Sequence, residues 1–186
     1  MALPFFTVGH STRPIDAFVE LLRVAEVTFV VDIRTVPRSR TNPQYNKDTL
    51  PQSLAAFEIG YEQIAELGGL RAASKQVQPD LNGFWENSSF HNYADYALTA
   101  AFDTGIERLI TLGRQQRCAM MCSEAVWWRC HRRIVSDQLI VRGEQVFHLM
   151  GKDGIEPASL TKGAQLREDG VLTYPAAQAA GEPDPR

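Results

Sequence analysis

One segment of the chain, residues 122–133, combines two thiols, a carboxylate, an imidazole and three guanidinium groups. Its Cys122 and Cys130 are candidate nucleophiles, because a nearby cation or a helix N-terminus lowers the pKa of a thiol. Cysteine phosphatases and sulfurtransferases place such a thiolate in a strand-to-helix loop. Their phosphate-binding loop is one residue shorter than the six residues between Cys122 and Arg129, and it lacks the bulky tryptophans found here. The alternative for Cys122 is a small apolar residue that packs at the end of a core strand.

The same thiols, with His131 and His10, have the side-chain types of zinc ligands. Structural zinc sites usually include a cysteine pair separated by roughly two to four residues, whereas seven residues separate Cys122 from Cys130. If Cys130 and His131 lie on a helix, their side chains point about 100° apart. We therefore expect no bound metal and no other cofactor.

Four side chains are candidates for acid–base chemistry: His10, Asp32, Glu124 and His131. A carboxylate close to arginines stays ionised, and beside a histidine it can orient the imidazole or act as a general base. His10 is favoured because Gly9-His10-Ser11 ends a predicted strand. For Asp32 and Glu124 the alternative is an ion-pair network that holds the loops in place.

Several arginines are placed to bind an anion. Residues 130–133 are predicted to open a helix, where unpaired N–H groups and the macrodipole favour a negative charge. Arg132 can bind a phosphate or carboxylate with two parallel hydrogen bonds, and Arg34, Arg38 and Arg40 follow a predicted strand. The alternative is that these are solvated surface arginines or partners of neighbouring carboxylates.

Other polar and aromatic residues can recognise a base or a sugar. Asn42, Tyr45 and Asn46 can do so by hydrogen bonds and stacking, although Asn and Pro here are also typical of turns. Trp127 and Trp128 can stack on a base, fill the core or contact a second copy in a homodimer. The candidate ligand-binding residues are Ser11, Arg34, Arg38, Arg40, Asn42, Tyr45, Asn46, Cys122, Cys130 and Arg132.

Hydrophobic patterning predicts the elements that must position these groups. Short apolar runs predict strands at 5–8, 28–31, 60–64, 118–122 and 145–149. Apolar residues at helical spacing predict helices after Pro14, over 48–57, over 93–112 as two pieces divided near 103–105, and over 129–142. The polar segment 71–92 is either an ordered excursion or a mobile lid.

Strands that alternate with helices predict βαβ units and a mainly parallel sheet. We expect a single α/β domain over residues 1–170, a three-layer αβα, Rossmann-like arrangement, followed by a disordered tail over 171–186. Ligands of such sheets bind beyond the carboxyl ends of the strands. Those ends carry Gly9-His10-Ser11, Asp32-Ile33-Arg34 and Cys122-Ser123-Glu124, so the reactive groups should gather at one edge.

Composition narrows the class of protein. A chain of 186 residues fits one domain. The formal net charge of −3 argues against a dedicated nucleic-acid coat protein but not against a local basic site. Three cysteines do not make a secreted disulfide scaffold, and no apolar run is long enough for a signal peptide or a membrane span. We expect a cytoplasmic protein that does not enter a membrane.

Six short motifs resemble a widespread bacterial family, the domain of unknown function four-eight-eight. They are Gly9-His10-Ser11, Asp32-Ile33-Arg34, Asn42-Pro-Gln-Tyr-Asn46, Leu67-Gly-Gly69, Cys122-Ser-Glu124 and Cys130-His-Arg132. The resemblance spans roughly residues 5–150, and the Cys-Ser-Glu…Cys-His-Arg-Arg run is its most specific part. It implies an α/β fold and does not supply an established reaction.

The leading functional hypothesis from the sequence is an enzyme that acts on a nucleotide, a nucleic-acid end or another small phosphorylated or anionic compound. In it, the arginines hold the anion, and a carboxylate with a histidine performs the acid–base work. A non-catalytic module that senses a nucleotide or docks on a partner protein is the first alternative. Thiol chemistry at Cys122 or Cys130, similar to that of phosphatases or sulfurtransferases, is the second.

Overall fold

The computed structural model describes residues 2–151 and 154–177. Its main sheet contains six strands: β1 Phe5–Gly9, β2 Phe29–Asp32, β3 Gly60–Gln63, β4 Cys118–Cys122, β5 Val146–Gly151 and β6 Gly154–Pro157. Their order is β3-β2-β4-β1-β5-β6, and every pair of neighbours is parallel except the antiparallel β5 and β6. The predicted mainly parallel sheet is confirmed.

The central position of β4 determines what meets at the edge of the sheet. β4 lies between β1 and β2, with Cys122 opposite Gly9 and with Met121 opposite Asp32. These three strands therefore end at the same level. The residues that follow them, including His10 and Arg34, must emerge on either side of Cys122.

Within the described residues, five α-helices cover the two faces of the sheet: α1 Ile15–Val24, α2 Leu50–Ala55, α3 Ser88–Tyr96, α4 Ala100–Gln115 and α5 Arg132–Val141. In α1, Phe18 and Leu22 recur at helical spacing and pack with Leu54 of α2 on one face. On the other face, the apolar sides of α4 and α5 form a second core cluster. The chain is thus a three-layer α/β protein, as predicted. Among the residues described, no helix has both the length and the apolar character needed to cross a membrane.

Successive side chains of β4 alternate between these two cores, as strand geometry requires. Ala119 and Met121 join the cluster of α1 and α2, while Met120 and Cys122 join the cluster of α4 and α5. Cys122 consequently faces the layer that contains α5. This is the helix that the segment 123–131 leads into.

The division between α3 and α4 differs from the predicted one. The two helices are separated at residues 97–99, where the Thr99 side chain accepts a hydrogen bond from the Phe102 N–H and caps α4. Gly105, which suggested the break, lies inside α4. A Cβ there would be 2.9 Å from the Glu66 Cβ, so this glycine allows the helix to pack closely against a neighbouring loop.

Of the two alternatives for residues 71–92, the ordered excursion is observed. The segment includes a 3₁₀ turn at Pro79–Asn82 and then enters α3. The buried Asn82 donates from Nδ2 to Asp95 Oδ1 at 2.7 Å and accepts from the Tyr174 N–H at 3.0 Å. The excursion is therefore joined to the main fold by buried hydrogen bonds.

The fold continues beyond the predicted start of a tail at residue 171. Two short antiparallel strands, β7 Gln165–Leu166 and β8 Leu172–Thr173, form a second sheet. Tyr174 is 1% exposed, and its hydroxyl donates to Asp137 Oδ2 at 2.8 Å. Residues 171–177 therefore belong to the fold, and not to a disordered tail as expected. The rest of the expected tail, 178–186, lies outside the described residues.

Candidate active site

A pocket of about 370 Å³ opens at the carboxyl ends of β1, β2 and β4, where the sequence predicts a ligand site. Its wall is formed by His10, Arg34, Thr35, Val36, Arg38, Ser39, Gly69, Leu70, Cys122, Ser123 and His131. We call it the strand-end pocket. A shallower depression beside it shares His10, Ser39 and Ser123 and adds Ser11, Thr12, Thr41, Asn42, Glu124 and Ala125. We call this second depression the hydroxyl groove.

Cys122, Cys130 and His131 form a thiol–imidazole cluster at the pocket. The His131 Nδ1 atom lies 3.6 Å from Cys130 Sγ and 4.0 Å from Cys122 Sγ. The His131 Nε2 atom lies 2.8 Å from the Ile33 carbonyl oxygen, which can only accept a hydrogen bond. The proton of the neutral ring is therefore on Nε2. The lone pair of Nδ1 faces both sulfur atoms.

The two thiols have different pKa values because they interact directly. A hydrogen bond from the Cys130 thiol lowers the pKa of Cys122 well below its ordinary value, and His131 contributes in the same direction, although burial opposes both. Burial raises the pKa of Cys130, and the neighbouring Cys122 adds to this effect. The pair thus loses its first proton from Cys122. By contrast, burial within β4 raises the pKa of Cys118 to about 12.

The cluster forms because Cys130 and His131 precede helix α5 instead of lying on it. A 3₁₀ turn covers Trp127–Arg129, Cys130 has extended backbone, and α5 begins at Arg132. The predicted separation of about 100° between adjacent helical side chains therefore does not apply. The three ligand-type atoms of the cluster lie within 4.8 Å of one another, so they also have the types and spacing that can hold a metal ion.

Two glycines allow this approach. A Cβ on Gly9 would collide with the Glu124 carbonyl oxygen, so β1 must end in glycine for the loop after β4 to cross it. A Cβ on Gly69 would collide with the His131 ring. Gly69 belongs to the Leu67-Gly-Gly69 motif, a sequence signal that could have identified this wall of the pocket.

Arg132 lies beneath the loop, not in the wall of the strand-end pocket. It is 1% exposed, and its guanidinium donates to the Glu124 carbonyl at 2.7 Å and to the Ala125 carbonyl at 3.2 Å. These bonds fix the backbone that follows Cys122. The carboxylate of Glu124, in contrast, is exposed at the hydroxyl groove.

Asp32 and Arg34 form a buried ion pair behind the pocket. Asp32 is fully buried and accepts from Arg34 Nε at 2.9 Å, from Arg34 Nη2 at 2.7 Å and from the Tyr61 hydroxyl at 2.6 Å. Arg34 Nη2 also donates to the Tyr45 carbonyl at 2.7 Å. The carboxylate is thus used by internal partners, and Arg34 is part of the pocket wall.

His10 is held between Arg34 and Tyr45. Its Nδ1–H donates to the Ser11 carbonyl at 2.8 Å, and its Nε2 accepts from Arg34 Nη1 at 3.2 Å. The ring stacks on Tyr45 with a centroid distance of 4.0 Å. Burial lowers the pKa of His10, and the positive charge of Arg34 acts in the same direction. The ring is therefore neutral at neutral pH and orients the Arg34 guanidinium.

The remaining candidate ligand-binding residues lie at different places around the strand-end pocket. Arg38 is exposed at the pocket rim and pairs with Asp48 at 2.8 Å, whereas Arg40 is exposed and does not line the pocket. Asn46 accepts from the backbone N–H of Ser39 at 2.7 Å and so shapes the loop that carries the rim. The site residues that sequence reasoning missed are Thr35, Val36, Ser39, Gly69, Leu70 and Ser123.

A comparison with protein-family models supports the resemblance that the sequence motifs indicate. The family model described as "Domain of unknown function DUF488" matches residues 14–139, which include the thiol–imidazole cluster and the Asp32–Arg34 pair. Searches of curated proteins and of solved structures found no match. The family match confirms the resemblance predicted from the six motifs, and the chain belongs to the DUF488 family.

Proposed function

We propose that this protein is a cysteine-dependent enzyme in which the thiolate of Cys122 attacks a small anionic substrate bound in the strand-end pocket. The observation that carries the proposal is the orientation of His131. Its Nε2–H is bound to the Ile33 carbonyl, and its Nδ1 lone pair faces the two sulfur atoms at 3.6 and 4.0 Å. A nucleophile beside a base that a third group orients is the arrangement expected for covalent catalysis.

The proposed reaction uses the groups in a simple order. The Cys122 proton passes to His131 Nδ1, and the Cys130 thiol stabilises the resulting thiolate by a hydrogen bond. The Cys122 sulfur then forms a bond to the electrophilic atom of the substrate. The leaving group departs with the bonding electrons and takes the proton from His131 Nδ1, which restores the neutral imidazole. Water then gives a proton to His131 Nδ1 and attacks the covalent intermediate, so that the product is released and Cys122 leaves as the thiolate beside the protonated imidazole.

Charge and size at the pocket favour a small anion. Arg34 and Arg38 both line the pocket, although each is paired with a carboxylate, and the hydroxyls of Ser39 and Ser123 add hydrogen-bond partners. A volume of about 370 Å³ suits a metabolite-sized group. The hydroxyl groove is positioned to accept a polar extension of the same molecule, such as a sugar.

This mechanism differs from that of the cysteine phosphatases considered for the sequence. There, the spacing from Cys to an Arg in the loop is essential because the loop surrounds the phosphate. Here the partner of Cys122 is His131, brought in at the far end of the loop. The additional residue before Arg129 therefore does not argue against a reactive thiol.

The proposal is tested by the pH dependence of alkylation. In the wild-type chain, iodoacetamide should modify Cys122 with an apparent pKa clearly below the roughly 8.5 of an ordinary thiol. His131→Gln should move this apparent pKa upward, and Cys118→Ala, a change at the buried far end of β4, should not. Mass spectrometry after proteolysis identifies the modified residue.

Two results would contradict the proposal. One is a Cys122 that reacts only as an ordinary thiol in the wild-type chain. The other is a purified protein that carries one tightly bound zinc per chain and becomes reactive only after chelation, since the cluster would then be a metal site. A panel of phosphate esters, thioesters and thiosulfonates, assayed with wild type, Cys122→Ser and Cys118→Ala, would identify the electrophile.

A further inference from the structure

We infer that Cys130 is a resolving thiol: when a hydroperoxide oxidises Cys122, Cys130 attacks it and closes an intramolecular disulfide. The inference rests on the proposed function only in taking Cys122 as the reactive thiol. It adds a second, redox activity to the site. It also gives Cys130 a covalent role beyond its hydrogen bond to Cys122.

Proximity is the first argument. The Cys122 and Cys130 sulfur atoms lie within 4.8 Å of each other. A disulfide needs an S–S distance of about 2.05 Å, so the two atoms must approach by no more than roughly 3 Å. Cys130 has extended backbone between a 3₁₀ turn and α5 and is not part of a strand, so its approach to Cys122 breaks no strand pairing.

Access is the second argument. Both thiols are buried, with 8% of Cys122 and 4% of Cys130 exposed, but the wall of the strand-end pocket contains Cys122 and not Cys130. A small oxidant that enters the pocket therefore reaches Cys122 first. Cys130 stays shielded as the protonated thiol behind it. This is the order of events that separates a peroxidatic thiol from a resolving one.

His131 can transfer the protons that both steps need. In the first step the Cys122 thiolate attacks the terminal peroxide oxygen. The O–O bond breaks, Cys122 becomes a sulfenic acid, and the departing alkoxide takes a proton from His131 Nδ1. In the second step Cys130 gives its proton to His131 and attacks the Cys122 sulfur. Hydroxide leaves and takes that proton, so one water molecule is released.

An external dithiol completes the cycle. It returns two electrons and two protons to the Cys122–Cys130 disulfide and is itself oxidised to a disulfide. Closure of the bond would also draw Cys130 toward the pocket and move the neighbouring His131 ring. The oxidised chain should therefore be inactive toward the anionic substrate until it is reduced.

The chain supplies its own controls for a test with hydrogen peroxide. It has three cysteines, so oxidation of the full-length protein should lower the free thiols measured after unfolding from three per chain to one. Arg129 lies between Cys122 and Cys130, and trypsin therefore separates them in the reduced chain. In the oxidised chain, the peptide 118–129 should remain linked to the peptide that begins at Cys130.

Because Cys118 is on the same peptide as Cys122, variants must assign the bond. Cys118→Ala should keep the link, whereas Cys122→Ser should lose it. Cys130→Ser should leave a sulfenic acid on Cys122 that dimedone traps. If peroxide leaves three free thiols, or drives Cys122 to the sulfinic acid while Cys130 stays reduced, the inference is wrong. The proposed function still stands in that case if Cys122 alkylates with a lowered apparent pKa, and both fail if it does not.

Discussion

Removing the carboxylate of the buried Asp32–Arg34 ion pair should destabilise the fold far more than removing the carboxylate of the exposed Arg38–Asp48 pair. The side chains of the first pair are 0% and 5% exposed, and those of the second are 71% and 67% exposed. Asp32→Asn leaves the Arg34 guanidinium buried without a counter-charge, which typically costs about 3–5 kcal/mol. Asp48→Asn removes only a solvated contact worth roughly 0–1 kcal/mol.

Urea unfolding followed by circular dichroism gives both free energies under the same conditions. Natural domains are stable by only about 5–15 kcal/mol, so Asp32→Asn is expected to lower the unfolding midpoint severely. Tyr61→Phe provides a milder step, because it removes one hydrogen bond to the Asp32 carboxylate, worth about 1.5–3 kcal/mol, and leaves the charge pair intact.

The result that would refute this reasoning is a similar loss of stability in Asp32→Asn and Asp48→Asn. It would mean that the Asp32 carboxylate does not compensate the Arg34 charge in the folded state. Asp32 would then return to the set of acid–base candidates that the sequence suggested, and its effect on turnover would have to be measured first.

Four further outcomes are expected. Cys130→Ala removes the hydrogen bond from the Cys130 thiol, so it should raise the apparent pKa of Cys122 and slow its alkylation at neutral pH by about tenfold. Cys118→Ala should change neither the apparent pKa nor the rate. Gly69→Ala should displace the His131 ring and slow the same reaction, while Gly151→Ala, which has open space around it, should not. Tyr174→Phe should lower the unfolding free energy by roughly 1–3 kcal/mol in urea, because Asp137 loses a buried partner. Burial lowers the pKa of His148 to about 4, so as the pH is lowered the unfolded chain binds a proton at His148 before the folded chain does. The free energy of unfolding should therefore decrease as the pH falls from about 6.5 to about 4, and it should decrease less steeply in His148→Gln.

The sequence was sufficient to predict five strands of the main sheet and the meeting of their ends, but not the antiparallel β6. Each strand is a short apolar run whose pattern is local, and β4 was predicted with its observed bounds, Cys118–Cys122. The gathering of His10, Arg34 and Cys122 follows from a general property of parallel sheets. Neither inference needed to know which strands are neighbours.

The thiol–imidazole cluster could not be predicted in the same way. It depends on the start of α5 at Arg132 instead of residue 129, and helix boundaries are weakly determined by local sequence. It also depends on the bond from His131 to the Ile33 carbonyl, a contact between residues 98 positions apart. A shift of three residues at the helix start changed Cys130 and His131 from divergent to convergent side chains.

The roles of Asp32 and Tyr45 were hidden for a related reason. Asp32 ends a strand and Tyr45 lies in the polar loop that follows it, and both places are typical of ligand contacts. In the structure Asp32 is saturated by Arg34 and Tyr61, and the Tyr45 hydroxyl donates to the Arg13 carbonyl at 2.7 Å. Sequence patterns identify which polar groups reach the edge of the sheet, but they do not show which of them are used internally.

The loop between Cys122 and Cys130 is fixed at its two ends by different parts of the molecule. Cys122 belongs to the central strand, and His131 is anchored to Ile33. The exposed side chains of Ser123, Glu124 and Trp128 lie between these anchors. Ser123 and Glu124 line the strand-end pocket or the hydroxyl groove, so substitutions at these two positions can alter which molecules enter without moving the reactive atoms.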